Sequence, residues 1–353
     1  MTERRNFFVG WDLGGAHLKV AGIGAGGAIL RVEQHATPIW EGLTVLDAAL
    51  SHFCLESDRA PTRHALTMSG ELVDAFVERE QGVRALLDLF CRRFPPESVR
   101  VYALDSGLQP VDAVLARPLA VASANWHATA TYVAETVGDG ILVDIGSTTT
   151  DIIPFREQGP CHLGATDMQR LRCGELVYTG VVRTPVMALI QRAPFAGVFQ
   201  NIAAERFATT ADVYRVTGEL DEACDLYPPA DGAGKSRIDS IRRLARMLGT
   251  DAGTEVPDGE WRGFAEFIAA RQLELIQRSF DGVRKRVDGA HRARRLVGAG
   301  SGRFLARKLA EANACEYIDF AQLVAGEESA RAMASVCAPA IAVAQLARRK
   351  FRA

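Results

Sequence analysis

The chain has 353 residues, of which 48% are hydrophobic and 24% charged, and its formal net charge is −2. This length exceeds what one hydrophobic core usually organises, so it predicts two domains. The near-neutral charge argues against nucleic acid as the main partner, because binding to a phosphate backbone normally needs a strongly basic face.

The cysteines and the apolar runs indicate the compartment. The seven cysteines are scattered, odd in number and never spaced C-x-x-C, which is typical of reduced thiols rather than of disulfides or a zinc site. The N-terminal residues contain no signal-peptide core. No apolar run approaches the roughly twenty residues that cross a bilayer. We therefore expect a cytoplasmic protein with no membrane partner.

Apolar runs, glycine turns and helical periodicity predict an α/β protein. In chain order, the predicted strands are Phe7–Trp11, Leu18–Ile23, Ala28–Glu33, Ala65–Ser69, Val99–Leu104, Ile141–Ile145, Ile152–Phe155 and Leu296–Val297. The predicted helices are Thr44–Cys54, Ala85–Phe94, Ala120–Val137, Trp261–Arg286, Arg303–Asn313 and Met333–Phe351. The first three strands are expected to form an antiparallel meander.

Two domains and an insertion are expected along the chain. Residues 1–124 are predicted to form domain I, with the C-terminal helix 333–353 packing back on it. Residues 125–332 are predicted to form domain II. Within domain II, residues 161–253 contain many polar turns, several prolines and few alternating strands. We interpret this stretch as an insertion that lines a ligand cleft.

A first glycine hairpin follows the strand that ends at Asp12, in the sequence D-L-G-G-A-H-L-K. Gly14 and Gly15 offer backbone N–H groups to phosphate oxygens without a Cβ in the way, and Asp12 is suited to hold a hydrated Mg²⁺ ion. Lys19 lies on the returning strand, where it either reaches the phosphates or points to solvent. Taken alone, D-x-G-G is a weak signal, because a structural hairpin explains it about as well.

A second hairpin, D-I-G-S-T-T-T-D, starts at Asp144 and ends at Asp151. Packing does not readily explain so many hydroxyl side chains between two aspartates, although serine and threonine are common in turns. The predicted phosphate-binding residues here are Gly146, Ser147, Thr148 and Thr149. Asp144 and Asp151 are candidate metal or water ligands.

A third glycine turn, G-A-G-S-G, spans Gly298, Gly300, Ser301 and Gly302 and precedes a helix. It lacks the glycine spacing of the dinucleotide fingerprint G-x-G-x-x-G. We expect it to present a flat surface on which adenine or another planar group lies.

Two Asp-Gly hairpins about 130 residues apart, followed by a late G-x-G-x-G, resemble the acetate kinase/hexokinase/Hsp70/actin superfamily. This resemblance implies a two-domain, actin-like ATPase fold with a ligand cleft between the domains. By the same resemblance, Asp12 and Asp144 are the metal-binding hairpin aspartates, and Gly298–Gly302 is the nucleotide turn. The implied cofactors are Mg²⁺ and, as an option, ATP or ADP.

A closer likeness rests on T-M-S-G-E-L at Thr67–Leu72, G-E-L-V-Y-T-G-V-V-R-T-P-V at Gly174–Val186, A-D-G-A-G-K-S-R and R-R-L-A-R-M-L-G-T-D. These segments resemble the hydantoinase/oxoprolinase-like proteins of the tetrahydromethanopterin-linked one-carbon pathway. Archaeal members are associated with methanofuran assembly, in which an aminomethyl-furan carrying a diphosphate is joined to the phenol of γ-glutamyltyramine and pyrophosphate is released. Bacterial relatives in methylotrophs serve the analogous methylofuran.

The resemblance implies a transferase, and one departure from the superfamily fits that. Ala16 and His17 stand where hydroxyl residues are usual in the nucleotide-hydrolysing members, which favours a substrate diphosphate over ATP in the cradle. The alternatives are an ATP-dependent kinase or an oxoprolinase-type amidohydrolase, and a nucleotide-binding scaffold. The expected partners are small molecules, a furan diphosphate and a tyramine derivative, and the sequence leaves a homodimer open.

The attacking phenol must lose a proton, and the candidate bases are Glu71, Glu175 and Asp151, among which the sequence does not choose. Arg183 suits a bidentate grip on a phosphate or carboxylate, with a domain-bridging ion pair as the alternative. The other predicted substrate-binding residues are Tyr178, Thr179, Lys235 and Asn125, and a helix-capping role explains Asn125 nearly as well. None of the seven histidines has a spacing such as H-x-x-x-H, so no zinc site is expected.

Overall fold

A computed structural model of the chain describes residues 7–54, 62–253, 255–287 and 294–351. The chain divides into two compact units. Unit 1 comprises the ranges Met1–Leu142, Ile153–Gln169 and Ile318–Ala353, and unit 2 comprises Val143–Ile152 and Arg170–Tyr317. The predicted boundary at residues 124 and 125 and the predicted cleft stay predictions. None of the described helices is long and apolar enough to cross a bilayer.

The described residues contain strands and helices in alternation. The strands are β1 (Phe7–Leu13), β2 (His17–Ile23), β3 (Ile29–Ala36), β4 (Thr62–Met68), β5 (Val99–Tyr102), β6 (Leu108–Gln109), β7 (Gly140–Ile145), β8 (Thr150–Arg156), β9 (Gly159–Pro160), β10 (Leu176–Val177), β11 (Arg192–Phe195), β12 (Val198–Asn201), β13 (Arg295–Ala299) and β14 (Glu316–Asp319). The helices are α1 (Thr44–Cys54), α2 (Arg79–Arg93), α3 (Val111–Leu115), α4 (Asn125–Val137), α5 (Asp167–Cys173), α6 (Thr210–Thr217), α7 (Arg237–Met247), α8 (Asp258–Val287), α9 (Arg303–Ala312), α10 (Glu328–Arg331) and α11 (Ala338–Lys350).

Unit 1 is built on a six-stranded mixed sheet with the strand order β3-β2-β1-β4-β5-β6. Strands β1, β2 and β3 form the expected antiparallel meander, and β4 pairs with β1 in parallel, with Asp12 opposite Thr67. Helix α11 lies close against β1, because a Cβ on Gly10 would fall 1.9 Å from the carbonyl oxygen of Ala340. Only glycine therefore permits this contact between strand and helix.

The core of unit 1 contains an aromatic cluster around Trp11 of β1. The Trp11 ring packs against the rings of Phe53, Phe90 and Phe94 at centroid distances between 5.1 and 5.4 Å. The indole Nε1 of Trp11 donates a hydrogen bond of 3.1 Å to Nδ1 of His64. This bond satisfies the one polar atom that the buried indole carries.

A second sheet has the strand order β10-β8-β7-β13-β14, and β9 pairs with β8. Unit 2 adds a largely helical part in which α6, α7, α8 and the hairpin β11–β12 share one apolar core. Trp261 and Phe264 of α8 are buried against Phe195 of the hairpin. The stretch predicted as a polar insertion therefore has a hydrophobic core of its own together with the long helix.

Several predicted element boundaries differ from the structure. Helix α4 begins at Asn125 rather than at Ala120, because Pro118–Ala120 is a 3₁₀ turn and Ser123 has a φ of +49°. Helix α11 begins at Ala338 rather than at Met333, with Pro339 in its first turn, where a missing N–H costs no helical hydrogen bond. The apolar periodicity was correct in both cases, and turns at the N-terminal ends were missed.

Candidate functional site

The Asp12 turn, residues 12–17, joins β1 to β2 in unit 1. The N–H of Gly14 donates to the carbonyl of His17 over 3.0 Å, which closes the turn. A Cβ on Gly15 would lie 2.6 Å from a methyl carbon of Val73. The N–H of Ser69 donates to the carbonyl of Leu13, so the loop after β4 is fixed against this turn.

Lys19 does not point to solvent but contacts the aspartate of its own hairpin. Its Nζ lies 3.6 Å from Oδ2 of Asp12, whose side chain is only 2% exposed. A lysine at this distance neutralises the buried carboxylate. The two residues that were predicted to bind metal and phosphate therefore form an ion pair with each other.

Glu71 lies in a 3₁₀ turn directly after this loop, and its carboxylate is fully buried. Its Oε1 accepts hydrogen bonds from the hydroxyl of Ser123 at 2.8 Å and from the guanidinium of Arg79 at 3.0 Å. Its Oε2 is buried and has no hydrogen-bond partner among the described residues. An unsatisfied buried carboxylate oxygen is costly, so this atom marks a position where a proton donor is expected.

The Asp144 turn, residues 144–149, joins β7 to β8 in unit 2, and all but the buried Ile145 are half-buried. The N–H of Gly146 donates to the carbonyl of Thr149 over 2.8 Å. Within the described part of the chain, the backbone N–H groups of Ser147 and Thr148 donate to no protein acceptor. Adjacent free N–H groups and hydroxyls form a concave anion-binding element.

Gly180 and its neighbours support the Asp144 turn from a distant part of the sequence. The carbonyl of Gly146 accepts the N–H of Val181, and the carbonyl of Ser147 accepts the N–H groups of Val182 and Arg183, at 2.9 to 3.1 Å. A Cβ on Gly180 would lie 2.4 Å from the backbone of Ser147 and Thr148. The conformation of the turn is therefore fixed by backbone contacts.

The late glycine turn supports the same hairpin. The N–H of Gly302 donates to the carbonyl of Ile145 over 2.8 Å. Gly300 has a φ of +80°, and a Cβ there would lie 2.5 Å from Oδ1 of Asp144. A Cβ on Gly298 would overlap the ring of Tyr317, and Ser301 is buried between the two glycines that contact the hairpin. Protein atoms thus lie close to these glycines, and their predicted role in binding a nucleotide or another planar group stays a prediction.

Two of the candidate bases are engaged in ion pairs within unit 2. Asp151 pairs through Oδ1 with Arg170, whose side chain is 2% exposed. Glu175 is fully buried, and its Oε1 accepts from the guanidinium of Arg286 over 2.8 Å. Both carboxylates therefore compensate the charge of a specific arginine, which is a structural role.

Arg183 follows the residues that support the Asp144 turn, and it lies within electrostatic reach of Tyr227, Arg206 and Tyr178. Burial, together with the positive charge of Arg206, lowers the pKa of the Arg183 guanidinium. Tyr178 is 60% exposed. Two arginines near each other, one of them half-buried, form a region that an anion would stabilise.

The remaining predicted substrate-binding residues have partners inside the protein. The hydroxyl of Thr179 accepts from the amide of Gln272 over 2.7 Å. The ammonium of Lys235 donates to the carbonyl of Asp225 over 2.5 Å and lies 3.4 Å from its carboxylate. The side-chain oxygen of Asn125 accepts the N–H of Trp126 in the first turn of α4. These contacts favour structural roles for the three residues.

Sequence reasoning missed Gly180 and Arg206. Gly180 lies inside the motif G-E-L-V-Y-T-G, but nothing in the local pattern shows that this glycine contacts a turn 33 residues earlier. Arg206 is an exposed arginine in a polar stretch, where charge alone carries little information.

Comparison with known proteins identifies the family to which the chain belongs. A family model described as hydantoinase/oxoprolinase matches residues 63–350. The chain is 34% identical over 279 residues to the (4-{4-[2-(γ-L-glutamylamino)ethyl]phenoxymethyl}furan-2-yl)methanamine synthase of Methanocaldococcus jannaschii, covering 79% of this chain and 82% of that protein. It is 39% identical over 114 residues to the synthase of the same name from Methanococcus vannielii, covering 31% of this chain and 50% of that protein.

Among solved structures, a nucleotide-free acetone carboxylase, an enzyme of ATP-dependent acetone carboxylation, is similar to this chain with a TM-score of 0.56 and 12% identity. The match covers 96% of this chain and 70% of that one. At this identity the likeness concerns the fold alone, and the fold is the actin-like ATPase fold that the two hairpins predicted. Since the family model spans most of the sequence, the chain belongs to the hydantoinase/oxoprolinase family.

Proposed function

We propose that the protein is a transferase that condenses an aminomethyl-furan methyl diphosphate with the phenol of a glutamyltyramine and releases pyrophosphate. The name of the similar synthases describes the product as an aryl ether, with a phenoxymethyl group on a furan. An ether of this kind forms when a phenol oxygen attacks the carbon next to the furan ring. The reaction belongs to the biosynthesis of methanofuran or methylofuran.

The Asp144 turn is the observation on which this proposal rests. It offers the N–H groups of Ser147 and Thr148, which have no protein acceptor among the described residues, beside their hydroxyls, and Gly180 and Gly302 hold it by backbone contacts. Donors that are fixed in advance stabilise charge that develops on a leaving group without reorganising. A diphosphate is the leaving group that such an element suits.

The residues at the Asp144 turn also fit a magnesium ion. The half-buried carboxylate of Asp144 and the hydroxyls beside it are hard oxygen ligands, which Mg²⁺ prefers. The ion would supply positive charge that neutralises the departing diphosphate. Asp12 fits the ion less well, because Lys19 already neutralises its carboxylate.

The reaction is balanced by the loss of one proton. The bond between the furfuryl carbon and the diphosphate oxygen breaks, and the phenol oxygen forms a new bond to that carbon. The phenol proton would pass to one of the three predicted carboxylates, each of which is ion-paired, Glu71 with Arg79, Asp151 with Arg170 and Glu175 with Arg286. Glu71 differs in that its Oε2 is buried and has no hydrogen-bond partner among the described residues. Arg79 and Ser123 hold the other oxygen and so orient the carboxylate.

Recognition of the acceptor is assigned to the region around Arg183. Its guanidinium and that of Arg206 would bind the glutamyl carboxylate, and the exposed ring of Tyr178 offers an apolar face beside them. A cytoplasmic location is inferred from the cysteine pattern alone.

The direct test is a reaction with both substrates, Mg²⁺ and no nucleotide. We expect one pyrophosphate per molecule of ether, measured by a coupled phosphate assay and by mass spectrometry. Ether formation only with ATP, accompanied by ADP, would refute the transferase and support the ATP-dependent alternative.

Asp144→Asn tests the assignment of the turn. We expect this variant to lose most of its turnover and its Mg²⁺-dependent affinity for pyrophosphate while remaining folded. Asp139→Asn is the matched control, because Asp139 is exposed just before β7 and its amide can still accept the N–H of Glu157. Equal activity of the two variants would contradict the role of Asp144.

A further inference from the structure

Three side chains of unit 1 that the proposed reaction does not use lie close together. Asp105, His127 and His162 each place one potential metal-ligand atom within 4.8 Å of the others. They come from a 3₁₀ turn after β5, from the first turn of α4 and from the segment after β9. Their separation along the chain explains why no local histidine spacing indicated a metal site.

His127 is held in the orientation that a metal-binding imidazole needs. Its side chain is 4% exposed, and its Nε2 lies 3.2 Å from Oδ1 of Asp105. Its Nδ1 is 2.9 Å from the hydroxyl of Tyr102, which is in turn 2.8 Å from the hydroxyl of Thr131. Burial raises the pKa of Tyr102, so its phenol stays protonated. A hydrogen bond on the far nitrogen is the usual support of a metal-binding histidine.

His162 supplies a second imidazole whose surroundings do not satisfy it. Its Nδ1 is buried and has no hydrogen-bond partner in the part of the chain that the structure describes. The ring is packed nearly perpendicular to those of His127 and Trp126, at centroid distances of 5.0 and 5.2 Å. The ring is therefore fixed in place, and one of its nitrogens lacks a hydrogen-bond partner among the described residues. A metal ion at this position could satisfy that nitrogen.

We propose that Asp105, His127 and His162 form a binding site for a divalent transition-metal ion of the zinc type. Two imidazole nitrogens and one carboxylate oxygen suit such an ion better than they suit Mg²⁺. Two ligands at tetrahedral zinc lie about 3.3 Å apart, close to the 3.2 Å between His127 and Asp105. The side chain of Asp105 is 85% exposed, which leaves a coordination position for water. A bound ion links three separate segments of unit 1.

The experiment uses the full chain, freed of metal with a chelator and titrated with Zn²⁺. We expect one equivalent per chain by calorimetry and by elemental analysis, a higher unfolding temperature, and no displacement by excess Mg²⁺. Co²⁺ in the same site should give visible absorption bands of a low-coordinate ion. Binding of less than one equivalent, or complete competition by Mg²⁺, overturns the proposal.

Variants locate the site. Asp105→Asn should disturb the fold least, since the side chain is exposed, and we expect it to bind Zn²⁺ at least tenfold more weakly. His162→Ala should remove the stoichiometric binding of Zn²⁺. His52→Ala is the control, because His52 is an exposed histidine outside the cluster, and its binding should equal that of the unchanged protein. Unchanged zinc affinity in both Asp105→Asn and His162→Ala overturns the proposal. Neither readout depends on turnover, so failure of the proposed transferase leaves the result interpretable.

Discussion

Replacing Gly180 by alanine adds one carbon atom directly behind the Asp144 turn. That Cβ would lie 2.4 Å from the carbonyl carbon of Ser147 and from the nitrogen of Thr148, and 2.6 Å from the carbonyl oxygen of Gly146. All three are backbone atoms, so no side-chain rotation relieves the overlap. An ordinary contact needs at least 3.4 Å, and one of the two segments must therefore move by about 1 Å.

The Asp144 turn is the segment that we expect to move. Gly180 is fixed by its N–H, which donates to the hydroxyl of Thr184, and by its carbonyl, which accepts from Thr210 and Gln272 at 2.8 to 2.9 Å. Overpacking of this size costs about 1–3 kcal/mol of folding stability. A displacement of about 1 Å in a positioning element lowers turnover by about 100-fold.

The assay compares kcat/KM for pyrophosphate release with thermal unfolding of the same samples. Gly263→Ala is the matched control: Gly263 lies in α8, and a Cβ there would meet no atom within 4 Å. Alanine at this helical position should raise stability by about 0.5–1 kcal/mol and leave activity unchanged. A Gly180→Ala protein with unchanged kcat/KM would refute the claim that backbone contact with Gly180 sets the geometry of the turn.

Three further changes test the packing around the hairpins. The free energy of unfolding should fall by about 3 kcal/mol from pH 6.5 to 4, because burial lowers the pKa of His64 to about 4 while His64 in the unfolded chain binds a proton near pH 6.5. His64→Asn keeps an acceptor for the indole of Trp11. This variant should flatten that part of the pH profile of urea unfolding. Arg170→Met should cost about 3 kcal/mol in the same assay by removing the buried arginine that is ion-paired with Asp151, and an equal midpoint would contradict this. Lys19→Met should destabilise unit 1 by about 3 kcal/mol in EDTA, whereas Lys19→Arg, which keeps the charge, should not.

The sequence was sufficient for the fold class and for most elements, because these depend on local patterns. Apolar runs that end at glycine predicted β1, β2, β7 and β13, and helical periodicity predicted α8. The starts of α4 and α11 were placed too early, since the 3₁₀ turn and the positive φ before α4 leave no mark in hydrophobic periodicity. The hydrophobic core shared by α6, α7 and α8 was also missed, because it joins segments that look polar one at a time.

The individual roles within the candidate site depend on contacts between distant residues. Local pattern placed Asp144 and the hydroxyl residues in a turn, but it gave Asp151, Glu175 and Glu71 equal standing as bases. All three are ion-paired, with Arg170, Arg286 and Arg79 respectively, and the structure adds only that Oε2 of Glu71 has no hydrogen-bond partner among the described residues. An arginine 19 or 111 residues away in the chain cannot be assigned to a carboxylate by spacing.

The supporting glycines explain why glycines that are distant in the sequence meet at the Asp144 turn. A turn that binds phosphate through its N–H groups must keep its ligand-facing side free of side chains, so its rigidity has to come from the opposite side. That support comes from Gly180, Gly300 and Gly302. Because they have no side chain, their backbones lie in contact with the turn, and Gly300 also lies next to the carboxylate of Asp144. Removing the Thr148 hydroxyl deletes one donor, whereas a methyl group on Gly180 displaces every donor of the turn at once. If the turn binds the diphosphate as proposed, the supporting glycines are therefore expected to matter more for turnover than any single hydroxyl of the turn.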